Sequence, residues 1–279
     1  SGEFHIIVPA DGGRVVIDHC HFPVRIVIRL QDPQPANVND LTVTVTSSSL
    51  LGGIEVRGSR FYDDASIPTT TVNRLKLSFT DTTISTACSD NHGCSTTSPG
   101  MAWALVAICP EAKLVGAVVT FSNASLAFLV PKGLPAFASG DQRFYMTAFR
   151  TAADSSFLFY NTRASFVFFN DGNGPEGVYV DAFDSMLPPG IPDTGRPCLS
   201  RCRVAYDRFD WSVTGANVEA SIFGTSLSRG VDWQLTSVRL VLPHGILWPI
   251  RTGLFSSPEV NPAAALLNTF AIRDLWILA

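Results

Sequence analysis

The feature that most narrows what this chain can fold into is a two-residue alternation of apolar and polar side chains. It recurs in "LTVTVT" (41–46), "GIEVRG" (53–58), "NRLKLSF" (73–79), "VGAVVTF" (115–121), "SLAFLV" (125–130), "RFYMTAF" (143–149), "SFLFY" (156–160), "ASFVFF" (164–169), "GVYV" (177–180), "NVEASIF" (217–223) and "QLTSVRLVL" (234–242). Successive side chains of a strand point to opposite faces, so each stretch has one face to bury and one to wet. The stretches are rich in Val, Phe, Thr and Ile and are bounded by Gly, Pro, Asn or Asp, which marks strands separated by turns. The chain reads as all-β. One stretch departs from the pattern: "MAWALVAICPEAKL" (101–114) sets Trp103, Val106 and Ala107 on one helical face ahead of Pro110, and predicts a short helix.

Composition excludes several classes. With 279 residues and 46% apolar side chains the chain can bury a sizeable core. Only 16% of residues are charged, the formal net charge is -4, and Lys and Arg are scattered, so no bulk field favours nucleic acid. No apolar run reaches the roughly 18 residues that a helical membrane span needs. The start, Ser1-Gly2-Glu3-Phe4, carries no initiator Met or leader pattern and reads as a processing product or a trimmed chain. Glycines and prolines gather in the connectors 82–100, 170–203 and 249–265, long enough to carry contacts or function.

The cysteines Cys20, Cys88, Cys94, Cys109, Cys198 and Cys202 make no metal pattern, since Cys198 and Cys202 lack a second close pair. Free thiols are the expectation, with loop staples Cys88–Cys94 and Cys198–Cys202 as the alternative in an oxidising compartment. Asn123-Ala124-Ser125 is a glycosylation sequon that matters only on the secretory route. His19-Cys20-His21 would put two imidazoles on one strand face, but no further ligand follows at a useful spacing.

Asp63-Asp64, Asn91-His92-Gly93 and Arg74-Leu75-Lys76 are superficially like the residues of pectin-cleaving β-helix enzymes, in a scrambled order. Asp171-Gly172-Asn173-Gly174 has calcium-like oxygen spacing without the terminal Glu, and is expected to be a turn. No nucleophile elbow, zinc helix, phosphate loop or dinucleotide fingerprint is present. The expectation is a protein that is not an enzyme, with no catalytic residue, cofactor or metal.

"SLAFLVPKGLPAF" (125–137) ends a strand at Val130, Pro131, Gly133 and Pro135, and "DSSFLFYNTRASFVFF" (154–169) follows. Together with the stretch 100–121 and "VDWQLTSVRLVLPHGILWPIRTG" (231–253), this order resembles the middle and end of a picornavirus-type capsid protein, most like the one around the five-fold axis. The resemblance spans about residues 100–251 and departs at Lys132 and Ile250, where that family commonly has proline. It implies an eight-stranded antiparallel jelly-roll sandwich with one or two short helices and long loops, over residues 41–251. Residues 1–40 would be an extended arm with the first strands, and 252–279 an extension on the particle surface.

The same resemblance implies a structural role in the virion of a small icosahedral RNA virus, assembled in the host cytoplasm. Its partners would be other capsid subunits, with contact to genomic RNA and a host receptor that the residues do not identify. Phe128, Phe157, Phe166, Phe168, Val238, Leu240 and Trp248 are the expected strand and core residues, and Asp171, Gly172, Cys198 and Cys202 the expected surface loop. A fatty ligand between the sheets is an option, with plain core as the competing use of the Phe residues.

Two other classes stand beside it. "LTVTVTSSSLLGGIEVRG" and "VNRLKLSFTDTTIST" resemble successive coils of a secreted β-solenoid adhesin, but their register is expected to be lost after residue 100. A carbohydrate-active β-sandwich enzyme would need Tyr145, His92 and Arg143 to converge.

Overall fold

The structure is a computed structural model. It describes residues 3–9, 11–30, 37–57, 71–87, 102–108, 113–130, 142–149, 151–168, 178–185, 199–215, 218–222, 228–242, 245–247 and 268–278. Every named element among them is a β-strand, and every pairing between those strands is parallel. That corrects the expected antiparallel jelly roll, and with it the helix: Ala102–Ile108 and Lys113–Val115 are strands. "AWALVAI" is apolar on both sides because consecutive residues Leu105, Val106, Ala107 and Ile108 are all buried. A continuous apolar run has the same composition in a strand buried on both faces as in a buried helix.

The chain winds as a solenoid. In one coil, Arg25–Leu30 lies in an eight-stranded sheet, Asn37–Asn39 in a six-stranded sheet, and Thr42–Thr46 and Ser49–Leu50 in two arms of a twelve-stranded sheet. Ile54–Arg57 then returns to the first sheet beside Arg25–Leu30 and starts the next coil. Residues 14–18 and 269–278, expected in an arm and an extension, form the first and last coils: Arg14 pairs with Thr42, and Thr269 with Asp232.

A block of constant length recurs in successive coils: "NVNDLTVTVTSSSL" (37–50), "TVNRLKLSFTDTTI" (71–84), "KLVGAVVTFSNASL" (113–126) and "TAADSSFLFYNTRA" (151–164), continuing through 199–211 and 228–240. Facing residues are separated along the chain by 28, 34, 42, 38 and 47 residues in the first coils and by 37 in the last. The register therefore persists to Leu278, although its period is not fixed. The length differences fall outside the block, on the two connections that join it to the eight-stranded sheet.

Two corners hold the block. At the first, between the six- and twelve-stranded sheets, Gly12, Asp40, Arg74, Gly116, Asp154, Arg201 and Gly230 all have positive φ. At the second, inside the twelve-stranded sheet, His19, Ser47, Asp81, Asn123, Asn161, Arg208, Ser237 and Asp274 do. Each such residue lets the strand bend sharply while its amide still donates to the next coil: Asp40 N to Asn73 O at 3.0 Å, Asp81 N to Ser122 O at 2.9 Å. The residue after the bend turns inward, and several of these carry a hydroxyl that donates to the carbonyl two residues back. Thr82, Ser155 and Thr162 do so at 2.8, 2.7 and 3.1 Å.

Inward positions stack in columns one coil apart, about 4.8 Å in a β-ladder. Phe79, Phe121, Phe159 and Tyr206 form one column with ring centroids 4.9 Å apart at each step and nearly parallel planes. Phe128 over Phe166 and Phe149 over Phe157 form shorter stacks. Rings in such offset stacks gain about 0.5–1.5 kcal/mol per pair beyond the burial of their area. Replacing Phe121→Ala, in the middle of the longest column, is expected to cost about 3–5 kcal/mol. Urea unfolding checks this as a lowered midpoint; a loss no larger than that of an exposed-face control such as Thr120→Ala would refute the column's role.

Candidate functional site

The second corner carries the most developed polar surface among the described residues. Asn123, Asn161 and Arg208 occupy the same bend in successive coils, each with positive φ. Asn tolerates this conformation better than most residues, and its short amide can reach the neighbouring coil. Asn161 Nδ2 donates to Asn123 Oδ1 at 2.7 Å, and Asn123 Nδ2 donates to Asp81 Oδ1 at 3.0 Å, so the amides form a ladder that ends on a carboxylate. The sequon residue Asn123 is thus a rung of this ladder.

Beside the ladder lies an open groove of about 230 Å³ lined by Asn123, Ser125, Asn161, Arg163, Arg208 and Asp210. Arg163 and Asp210 lie 3.8 Å apart, with most of the Arg163 side chain in solvent. Arg208 lies 3.8 Å from Asp207. At those distances both guanidinium groups keep donors for a ligand. Asp210 is the one carboxylate lining the groove. A facing pair of carboxylates, as acid-base cleavage of a glycosidic bond would need, is absent from this lining.

The first corner is charged but already satisfied. Arg74 donates to both carboxylate oxygens of Asp40 at 2.8 and 2.6 Å, and Arg201 to both of Asp154 at 2.7 and 2.6 Å. Gly116 and Gly230 follow the two arginines in the column, and a Cβ at either would meet the Cγ of Arg74 or Arg201. A Gly–Asp–Arg order along the column thus leaves each guanidinium room to lie flat on its carboxylate. Hydrogen bonding from Arg74 holds the Asp40 carboxyl below its ordinary value, and Arg201 does the same for Asp154.

The other sequence candidates are spread out. His19 is a corner residue and His21 begins the next short strand, so Cys20 does not separate two imidazoles on one strand face. His19 Nδ1 lies 2.9 Å from Asp18, and no group of His, Cys, Asp or Glu suited to a metal occurs among the described residues. Arg143 and Tyr145 share the strand Gln142–Phe149, while His92 lies outside the described residues, as do Asp63, Asp64, Asn91 and Gly93.

Pro131, Gly133, Pro135, Asp171, Gly172, Cys198 and Trp248 are also outside them. Val130 ends the strand Ser125–Val130 and pairs with Phe168. Phe128, Phe157, Phe166, Val238 and Leu240 are buried. Cys202, expected on a surface loop, is instead buried at the first corner, where its thiol occupies the place of the Ser155 hydroxyl and donates to Ser200 O at 3.4 Å. Burial pushes this thiol's pKa up.

The corner residues escaped the sequence reading because their types differ from coil to coil; only the Asn161–Thr162 and Asn123–Ala124 dipeptides carry a turn signal. No family model matches the chain, and neither a curated protein nor a solved structure matches it significantly.

Two outcomes follow. Asp40 and Asp154 have lowered pKa values when folded, so the stability they add is present above the ordinary Asp value of 3.8 and is lost as the pH falls through the lowered values. Urea midpoints of the wild type and of Asp40→Asn/Asp154→Asn should differ at pH 6 and converge in acid; a gap that widens in acid would refute the pairing. Peptide-resolved alkylation at pH 7.5 should leave Cys202 unlabelled until denaturant is added, whereas the half-buried Cys20 labels in the folded protein.

Proposed function

We propose that this chain is a non-enzymatic binding module of a β-solenoid surface protein of the adhesin class, and that the second-corner groove holds an acidic glycan. The single observation behind this is the lining of the groove: amides of Asn123 and Asn161 and guanidinium groups of Arg163 and Arg208, brought together from three successive coils. Amides present both donor and acceptor to sugar hydroxyls, and a guanidinium matches a carboxylate or sulfate with paired donors. The groove is open rather than enclosed, which suits a chain lying across the coils better than a small molecule that must be surrounded.

A solenoid also fits this use mechanically. Each coil contacts only its neighbours, so the surface is extended and repeats its groups at the coil spacing, which a polymeric ligand can match. Capsid assembly, the function attached to the jelly roll, loses the architecture that motivated it, and sedimentation separates the two readings. Migration in a large particle together with two other β-proteins would restore the capsid and remove the adhesin.

The direct test is calorimetric titration of the full chain with an oligogalacturonate and with a neutral oligosaccharide of equal length. The acidic chain should bind, and Arg163→Ala or Arg208→Ala should weaken it about ten-fold or more, since a hydrogen bond to a charged group contributes about 1.5–3 kcal/mol. Asp40→Asn, at the other corner, should leave the affinity unchanged. Equal affinity for the neutral chain, or no effect of the two arginine substitutions, would overturn the assignment, and appearance of cleaved products would move the protein into the lyases or hydrolases.

A further inference from the structure

The two ends of the solenoid differ. In the first coil the inward residues Val15 and Ile17 are buried at 6% and 4% exposure. In the last strand, Thr269–Leu278, the inward residues Phe270, Ile272 and Ile277 are exposed at 40%, 46% and 46%. Their partners one coil earlier, Trp233, Leu235 and Leu240, are at 2% or less. On the outer face Trp276 is also exposed. Among the described residues this strand pairs only with Asp232–Val241, so its other edge offers a row of backbone donors and acceptors beside an open apolar core.

The sequence of this edge is complementary to itself. Asp274 is its corner residue, with positive φ, so the strand is bent into arms 269–273 and 275–278. A two-fold axis that bisects the bend exchanges the arms and lays each against the other arm of a second copy, running antiparallel. Arg273 then faces Asp274 of the second copy, Ile272 faces Leu275, Ala271 faces Trp276, Phe270 faces Ile277, and Thr269 faces Leu278.

In a straight strand such a pairing would set inward residues against outward ones, because facing follows a strict period of two. Here the bend adds one outward residue. The inward set Phe270, Ile272, Leu275 and Ile277 therefore maps onto itself, and so does the outward set of Ala271 and Trp276. A shift of register would lose both the alignment of the bends and the two Arg273–Asp274 contacts. We propose that the chain forms a closed dimer, tail to tail, through this edge, with the second copy covering the open end of the core. Such an interface is isologous and uses up the edge, so assembly stops at two copies.

Sedimentation velocity of the full chain over a concentration series tests it, with hydrogen exchange of the 269–278 amides as a second readout. A monomer–dimer equilibrium is expected, with protection of these amides rising as dimer forms. Arg273→Asp puts like charges opposite each other twice and should weaken the dimer by about ten-fold or more, and adding Asp274→Arg should restore it by reversing both pairs. Arginine is tolerated in this bend conformation at Arg74, Arg201 and Arg208. A wild-type monomer at all concentrations, open-ended polymers, or a charge-reversed double variant no tighter than the single one would each overturn the proposal. Circular dichroism of the variants separates loss of pairing from loss of fold.

Discussion

Everything in this molecule depends on the parallel backbone ladder being carried unbroken around two tight corners. A parallel pair of strands cannot be closed by a hairpin, so the chain must travel a full circuit before it can lie beside itself. The circuit works because a residue with positive φ at each corner turns the strand while its amide still reaches the adjacent coil, as in Asp40 N to Asn73 O and Asp81 N to Ser122 O. With both corners fixed in length, all inward side chains of the block between them fall into columns. Phe79, Phe121, Phe159 and Tyr206 stack for that reason alone, although they are far apart in the chain.

The corners also divide the surface into parts with different freedom. Between the six- and twelve-stranded sheets, the repeated Gly–Asp–Arg order closes its charges on itself, in the pairs Arg74–Asp40 and Arg201–Asp154. Exposed pairs of this kind add little to stability, and they leave no donor aimed at a ligand. The other corner holds an amide ladder and two loosely held guanidinium groups, so the proposed ligand falls there. The open end adds a second unsatisfied surface of a different kind, apolar and backbone-rich, which calls for another strand and not for a sugar.

How much of this was legible in the sequence follows from the same geometry. Alternation in "LTVTVT" and "NRLKLSF" identifies strands with one buried face, because the period of two is a local property of the extended backbone. The resemblance of residues 41–58 and 72–86 to solenoid coils was visible as well, and those stretches do lie on adjacent coils. A fixed spacing was the wrong criterion after residue 100: connections of unequal length hide a block that keeps its register to the last strand. "AWALVAI" imitated a helix because burial on both faces removes the alternation that would have marked a strand. The match to a jelly-roll order shared the alternating strands and their proline stops, features that do not distinguish a parallel circuit from an antiparallel meander.

The sequence by itself determined that the chain is all-β, which faces of most strands are apolar, and that no charge field or catalytic motif dominates. Those are properties of neighbouring residues, set by side-chain alternation and by turn chemistry. Only the tertiary structure decided that the strands run parallel, that Asn123, Asn161, Arg163 and Arg208 meet in one groove, that Cys202 substitutes for a buried serine, and that the last strand leaves the core open. Strand direction and inter-coil contact depend on the path taken by connections whose length and composition vary, and a local pattern carries no record of that path.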